Sequence, residues 1–154
     1  MISNADYQHS LGVQGGWFNV EADYVTPFGL FADLGIPWFI LALAYDDSSD
    51  WFIPIETKLG YQFEISEGVK LRAGARAVFG FCEGCGEGPW GTTVLFELGI
   101  RYEDSSGFLM GLELPVYGLH VIHDSLHDTT DIMHLTKGIS FIYTQMYFGY
   151  AWKL

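Results

Sequence analysis

The sequence predicts an all-β protein, an eight-stranded antiparallel up-and-down barrel, and three observations carry that prediction. Apolar and polar residues alternate with period two through most of the chain, the mark of strands with two unlike faces. Clusters such as "SEG", "DSSG" and "DDSSD" punctuate the alternating runs, and 19 glycines add to the turn content. No apolar run approaches the roughly eighteen uninterrupted residues of a membrane-crossing helix. The longest, "IPWFILALAY", contains a proline and stops at "DDSSD". A chain of 154 residues suits one domain. We assign that domain to residues 17–154, with 1–16 as a leading segment that is either disordered or part of the first strand.

Taken in order, segment 17–25 sets Phe18, Val20, Ala22 and Tyr24 against Asn19, Glu21 and Asp23. After "TPFG", Phe28, Leu30, Ala32, Leu34 and Ile36 alternate with Gly29, Phe31, Asp33 and Gly35. Residues 38–46 are apolar on both faces and lose the phase. Two parses follow. One places strands at 17–25, 28–36 and 38–46; the other adds 9–15 and fuses 28–46 into one strand bent at Gly35 to Pro37. The rest is cleaner. Segment 51–66 sets Ile53, Ile55, Thr57, Leu59, Tyr61, Phe63 and Ile65 against Glu56, Lys58, Gly60, Gln62 and Glu64. Segment 69–82 sets Val69, Leu71, Ala73, Ala75, Ala77 and Phe79 against Lys70, Arg72, Gly74 and Arg76. Segment 92–103 opposes Val94, Phe96, Leu98, Ile100 and Tyr102 to Thr93, Glu97, Gly99, Arg101 and Glu103. Segment 108–117 opposes Phe108, Met110, Leu112, Leu114 and Val116 to Gly111, Glu113 and Tyr117. The last strand, 138–154, carries Met146, Phe148, Tyr150, Trp152 and Leu154 against Gln145, Gly149, Ala151 and Lys153. Both parses total eight strands.

Alternation does not say which face points inward; a soluble calyx and a membrane barrel share the pattern with opposite polarity. Charge placement separates them. Formal net charge is −12, yet mean hydropathy is +0.19 and aromatics make up 17% of the chain. Of the seven Lys and Arg, only Lys137 lies outside the polar face of a strand. Acids and bases alternate there with glycine, which fits a narrow interior where Glu56, Lys58, Lys70, Arg72, Arg76, Glu97, Arg101 and Glu113 pair as a charge network. Eight strands leave room for side chains but no wide pore. Apolar rows of this length match the roughly 9–11 residues of a tilted membrane strand. Trp51, Trp90, Tyr102, Phe108 and Trp152 stand near strand ends, where interfacial aromatic girdles occur. The expectation is a transmembrane barrel; the alternative is a soluble, lipocalin-like binder with the apolar rows around a ligand. No basic stripe is available for phosphates, which argues against nucleic acid.

The terminal "YFGYAWKL" resembles the C-terminal signal of small eight-stranded bacterial outer-membrane barrels, with Tyr147, Gly149, Trp152 and Leu154 at the matching positions. The departure is Leu154, where that family usually ends in Phe or Trp. The resemblance covers about residues 17–154. It implies a monomer in the outer membrane of a Gram-negative bacterium, in contact with lipid bilayer and lipopolysaccharide. It also implies that the last strand is read by the insertion machinery and closes the barrel against the first. Residues 1–10 lack the basic start and apolar core of a secretory signal, so an exported chain is expected in its mature form. With periplasmic termini, "SEG" and "DSSG" become periplasmic turns, and 82–91 and 118–137 become the long extracellular loops.

Any specific chemistry is expected in those two loops. Cys82 and Cys85 are the only cysteines. An oxidising compartment favours a disulfide between them, against a redox centre or half of a metal site; no second CxxC completes four thiolates. His120, His123 and His127 share one face if the segment is helical, which makes them an alternative metal site for zinc, copper or nickel, the simpler reading being a solvated polar loop with no cofactor. His123 and Ser125 form a His-x-Ser pair similar to the catalytic pair of outer-membrane lipid A deacylases. The Asn that follows the family's serine is Leu126 here, and His123 falls inside if the 108–117 strand continues in phase. The sequence reading is therefore a non-enzymatic envelope barrel that works in structure, adhesion or docking. A lipid A hydrolase is the runner-up.

Overall fold

The computed structural model describes residues 9–16, 19–37, 51–83, 90–124, 129–134 and 144–154, with the backbone alone at 51–53, 80–83, 90–91, 122–124 and 129–134. Nine strands follow one another: β1 (Ser10–Gly16), β2 (Val20–Val25), β3 (Leu30–Ile36), β4 (Trp51–Ser66), β5 (Val69–Glu83), β6 (Trp90–Glu103), β7 (Phe108–Asp124), β8 (Thr129–His134) and β9 (Gln145–Lys153). Each pairs antiparallel with its sequence neighbour from β1 to β8. The first strand then pairs with the last, Ser10 opposite Lys153 through Gly16 opposite Tyr147, and β7 pairs with β9. These pairings close the sheet into a ring.

The ring has eight positions although the described residues form nine strands. β8 and β9 run in succession down one edge of β7: Thr129–His134 opposes 119–124, and residues 145–150 oppose 108–113. Together they fill the eighth position. Three expectations are affected. Ser10–Gly16 is a strand of the barrel, as the parse with a strand at 9–15 has it and the other parse does not. β3 pairs directly with β4, so no strand stands between them in the ring, and the expected strand at 38–46 lies outside the described residues. Much of the expected loop 118–137 is strand, since β7 extends to Asp124 and β8 returns along it.

One end carries the tight turns. Gly29, Gly68 and Gly107 adopt φ of 90°, 71° and 98°, a region in which glycine has no steric penalty. Each turn glycine is also bound by the following hairpin. The N–H groups of Gln62, Glu103 and Ala151 donate to the carbonyls of Gly29, Gly68 and Gly107, each at 2.8 Å. The rings of Tyr61, Tyr102 and Tyr150 lie beside those same glycines. At the fourth position of this end the termini meet: Leu154 N–H donates to the His9 carbonyl at 2.7 Å, and the His9 ring stacks on Tyr24.

Side chains sort cleanly by face. Outward rows on every fully described ring strand expose Leu, Ile, Val, Phe and Tyr, with Leu59 at 67% and Leu34 at 60% accessible. Inward positions bury Glu21, Asp23, Asp33, Glu56, Lys58, Arg72, Arg76, Glu97, Arg101 and Glu113. A barrel whose apolar rows wall a ligand cavity has the opposite polarity, so the calyx arrangement is not the one adopted. Tyr117 is a local correction: expected on the polar face, it is exposed, as is Val116 beside it. The cause is a β-bulge, because Phe96 opposes Tyr117 while Glu97 opposes Pro115. One extra residue reverses the phase beyond it.

Candidate functional site

The interior is where the described residues concentrate chemistry, and register explains why. Asp33 lies opposite both Asp23 on β2 and Lys58 on β4; Lys58 lies opposite Arg76, and Lys70 opposite Arg101. Period-two pleating turns all of these to one side. A closed eight-strand ring then brings residues from opposite walls into contact.

Two clusters result. In the one nearer the tight turns, Arg72 Nη2 meets Asp23 Oδ1 at 3.0 Å and Asp33 Oδ2 at 3.1 Å, and Nη1 meets Glu113 Oε1 at 3.1 Å. Arg101 Nη1 takes the other Asp23 oxygen at 2.7 Å, and Lys70 Nζ pairs with Glu103 at 2.8 Å. The Arg72 guanidinium also stands 3.7 Å from the centroid of the Phe31 ring, a cation–π contact. In the second cluster, Lys58 Nζ reaches Glu21 Oε1 at 2.7 Å, Glu113 Oε2 at 2.9 Å and Gln145 Oε1 at 2.6 Å. Arg76 pairs with Glu97 at 2.9 Å and approaches Glu56 at 3.4 Å. Glu113 joins the clusters by accepting from Lys58 and Arg72 through different oxygens.

All eight charges expected inside are members of this network. Lys153, expected on the same face, is exposed at the end of β9. Sequence reasoning passed over the neutral members. Gln14 donates to Glu21 at 2.7 Å, Asn19 donates to Glu21 and to Glu56, and Gln145 donates to Asn19. Tyr147, read as part of a terminal signal, is fully buried with its hydroxyl 3.3 Å from Arg72. The available signal was phase: Gln14, Gln62, Gln145 and Tyr147 share strand parity with the inward charges.

Close packing leaves little space. The cavity between Phe31, Lys58, Arg72, Glu97 and Glu113 measures about 10 Å³, on the order of one water. Such a site binds no organic substrate. It fixes the opposing walls of the ring through ion pairs that are themselves desolvated; removing one member of such a pair typically costs about 3–5 kcal/mol.

The loop candidates fare differently. His120 is half-buried, its Nδ1 3.0 Å from Thr93 Oγ1. It and His123 stand on extended β7, so the helical turn that would align His120, His123 and His127 is not present there. Among the described residues no three His, Cys, Asp or Glu side chains form a metal-binding group. Ser125, His127 and Cys85 lie outside the described residues, and Cys82 and His123 are described by backbone only. The bulge at Val116 and Tyr117 removes the continuous phase on which an inward His123 depended. At the terminus, Trp152 and Leu154 are exposed, and Gly149 packs against the Val13 and Gln14 backbone. No family model, no curated protein and no solved structure matches the chain.

Proposed function

We propose that this protein is an integral outer-membrane β-barrel of a Gram-negative envelope, non-enzymatic and monomeric, with a plugged interior. It acts in envelope structure, adhesion or docking through its acidic outer loops. One observation carries the reading: the barrel is charged inside and apolar outside. Monomeric soluble proteins rarely expose contiguous apolar patches beyond a few hundred Å². Here Leu11, Leu34, Leu59, Leu98, Leu112 and Phe148 belong to rows that recur on successive strands around the ring. Hydrocarbon is the solvent for which such a surface is suited, and a closed sheet satisfies the backbone within it. The tyrosines beside the turn glycines support the same reading, since their rings are half-exposed at one level of the wall, as an interfacial girdle requires. Long strands joined by tight turns at one end are the habit of such barrels. No described geometry favours the His123–Ser125 hydrolase.

The test is refolding from denaturant with and without detergent, read by circular dichroism and by gel mobility of boiled and unboiled samples. The expected outcome is a β-fold that forms only with detergent and migrates differently when unboiled. A monomeric β-fold in plain buffer would overturn the proposal.

A further inference from the structure

On β5 and β6 the inward positions Gly74 and Gly99 carry no side chain. Register sets them side by side: Gly74 opposes Glu97, Arg72 opposes Gly99, and Gly99 in turn opposes Glu113 on β7. The cavity of about 10 Å³ lies there, bordered by both glycines and by Lys58, Arg72, Glu97 and Glu113. Its cationic walls are almost fully engaged. The Lys58 ammonium has three hydrogens, and Glu21, Glu113 and Gln145 take them at 2.7, 2.9 and 2.6 Å. The Arg72 guanidinium has five. Its Nη1 hydrogens go to Glu113 at 3.1 Å and Tyr147 at 3.3 Å, and its Nη2 hydrogens to Asp23 at 3.0 Å and Asp33 at 3.1 Å. The fifth, on Nε, is buried and has no hydrogen-bond partner among the described residues. The anionic walls have capacity to spare, because each carboxylate offers about four lone pairs. Glu113 accepts one hydrogen bond at each oxygen, and Glu97 meets Arg76 through Oε2 at 3.1 Å and Oε1 at 2.9 Å.

We propose that this cavity is a binding site for a single water molecule, which accepts from Arg72 Nε and donates to Glu97 and Glu113. Three features select water. The space is about one probe sphere in size, the smallest that admits a water and too small for an organic molecule. The walls offer one donor and several acceptors, so the occupant must both accept and donate; chloride only accepts and ammonium only donates. Two cations and two carboxylates already balance around the space, so an ion of either sign would unbalance it. A buried water makes about two to four polar contacts, and Arg72, Glu97 and Glu113 supply three. Arg72 already ties β5 to β2, β3, β7 and β9 through Asp23, Asp33, Glu113 and Tyr147. The water adds β6 through Glu97. It is a part of the plug, held by the one guanidinium hydrogen that no described side chain takes. This inference rests on the interior alone and does not depend on what covers the outer wall.

Proton NMR of the folded, nitrogen-15-labelled barrel tests it directly. The chain has three arginines, Arg72, Arg76 and Arg101, so few Nε–H signals compete, and through-bond correlation to the Arg72 aliphatic carbons assigns the one required. The expected result is a cross-peak in a rotating-frame experiment between that hydrogen and the water frequency, opposite in sign to the diagonal. That sign reports a through-space contact with a held water, whereas chemical exchange gives the sign of the diagonal. Arg72→Lys, which has no Nε, should lose the cross-peak and so check the assignment. An Arg72 Nε–H signal with no contact to water would mean a dry cavity and would overturn the proposal. A cross-peak of the exchange sign alone, or a signal broadened away by exchange, would overturn it too, because the donor would then open to bulk solvent. The wild-type spectrum decides even where the variant fails to fold.

Discussion

Arg72 shows how much one residue is asked to do. Its guanidinium contacts carboxyls from β2, β3 and β7, the Tyr147 hydroxyl from β9 and the Phe31 ring. A planar fork of five donors suits that geometry, and a lysine does not reproduce it. Its inward position was legible from strand parity, but its partners were not, because they come from distant segments that only ring closure assembles. Asp104 is the contrasting case at the surface. Its Oδ1 accepts from the Ser106 hydroxyl at 2.6 Å, from Ser106 N–H at 2.8 Å and from Phe108 N–H at 3.0 Å. The Ser106 hydroxyl, seconded by these amides, holds the carboxyl below its ordinary value. A carboxyl depressed in the folded state contributes stability that is present above its unfolded value and lost as pH falls through the folded one. Asp104 is therefore expected to titrate below a free aspartate in a carboxyl-detected NMR series, and Ser106→Ala to bring it back toward the ordinary value. An Asp104 that titrates normally would mean that the turn is not ordered by this side chain.

At the scale of elements, the facing glycines of β4 and β5 explain why small residues interleave with the charges. Gly60 and Gly74 are register partners, and the buried Phe31 ring lies across both, the cover an aromatic gives to a bare stretch of sheet. A Cβ on Gly60 would stand 2.5 Å from the Phe31 ring and closer still to the Ala73 carbonyl, whereas one on Gly74 would stand 3.0 Å from the ring and 2.8 Å from the Leu59 carbonyl. Gly60→Ala is accordingly expected to destabilise by about 1–3 kcal/mol, and Gly74→Ala by less, as read by urea unfolding in detergent. Equal, negligible effects would mean that the ring does not rest there. Sequence periodicity located the long hairpins well: the readings 51–66 and 69–82 match Trp51–Ser66 and Val69–Glu83 to within a residue. It failed where the period breaks. The extra residue at Val116 and Tyr117 interrupts the count, and the polar run "HDSLHDTTD" disguises the end of β7 and the start of β8 as loop. Three of the seven residues of Ser10–Gly16 are glycine, so its outward Leu11 and Val13 gave too short an apolar row to fix a strand.

For the molecule as a whole, closure and polarity were legible, because even strand count and one-sided charge follow directly from the residues. Activity was not, since the interior is occupied by its own side chains and the candidate loops offer isolated residues without a described constellation. A filled interior has a measurable consequence. With Arg72, Arg76, Arg101 and Lys58 buried in the described interior and a cavity of about 10 Å³ beside Lys58 and Arg72, the barrel reconstituted in a planar bilayer is expected to carry no steady ionic current. A sustained conductance would show that the ion pairs part in the membrane.

The three rungs at the tight-turn end bear on how the ring comes apart. Each joins the turn of one hairpin to a strand of the next, so no hairpin there can peel away without breaking a bond that belongs to its neighbour. Like staves under a hoop, the hairpins of that end share their strain, and the barrel yields there all together.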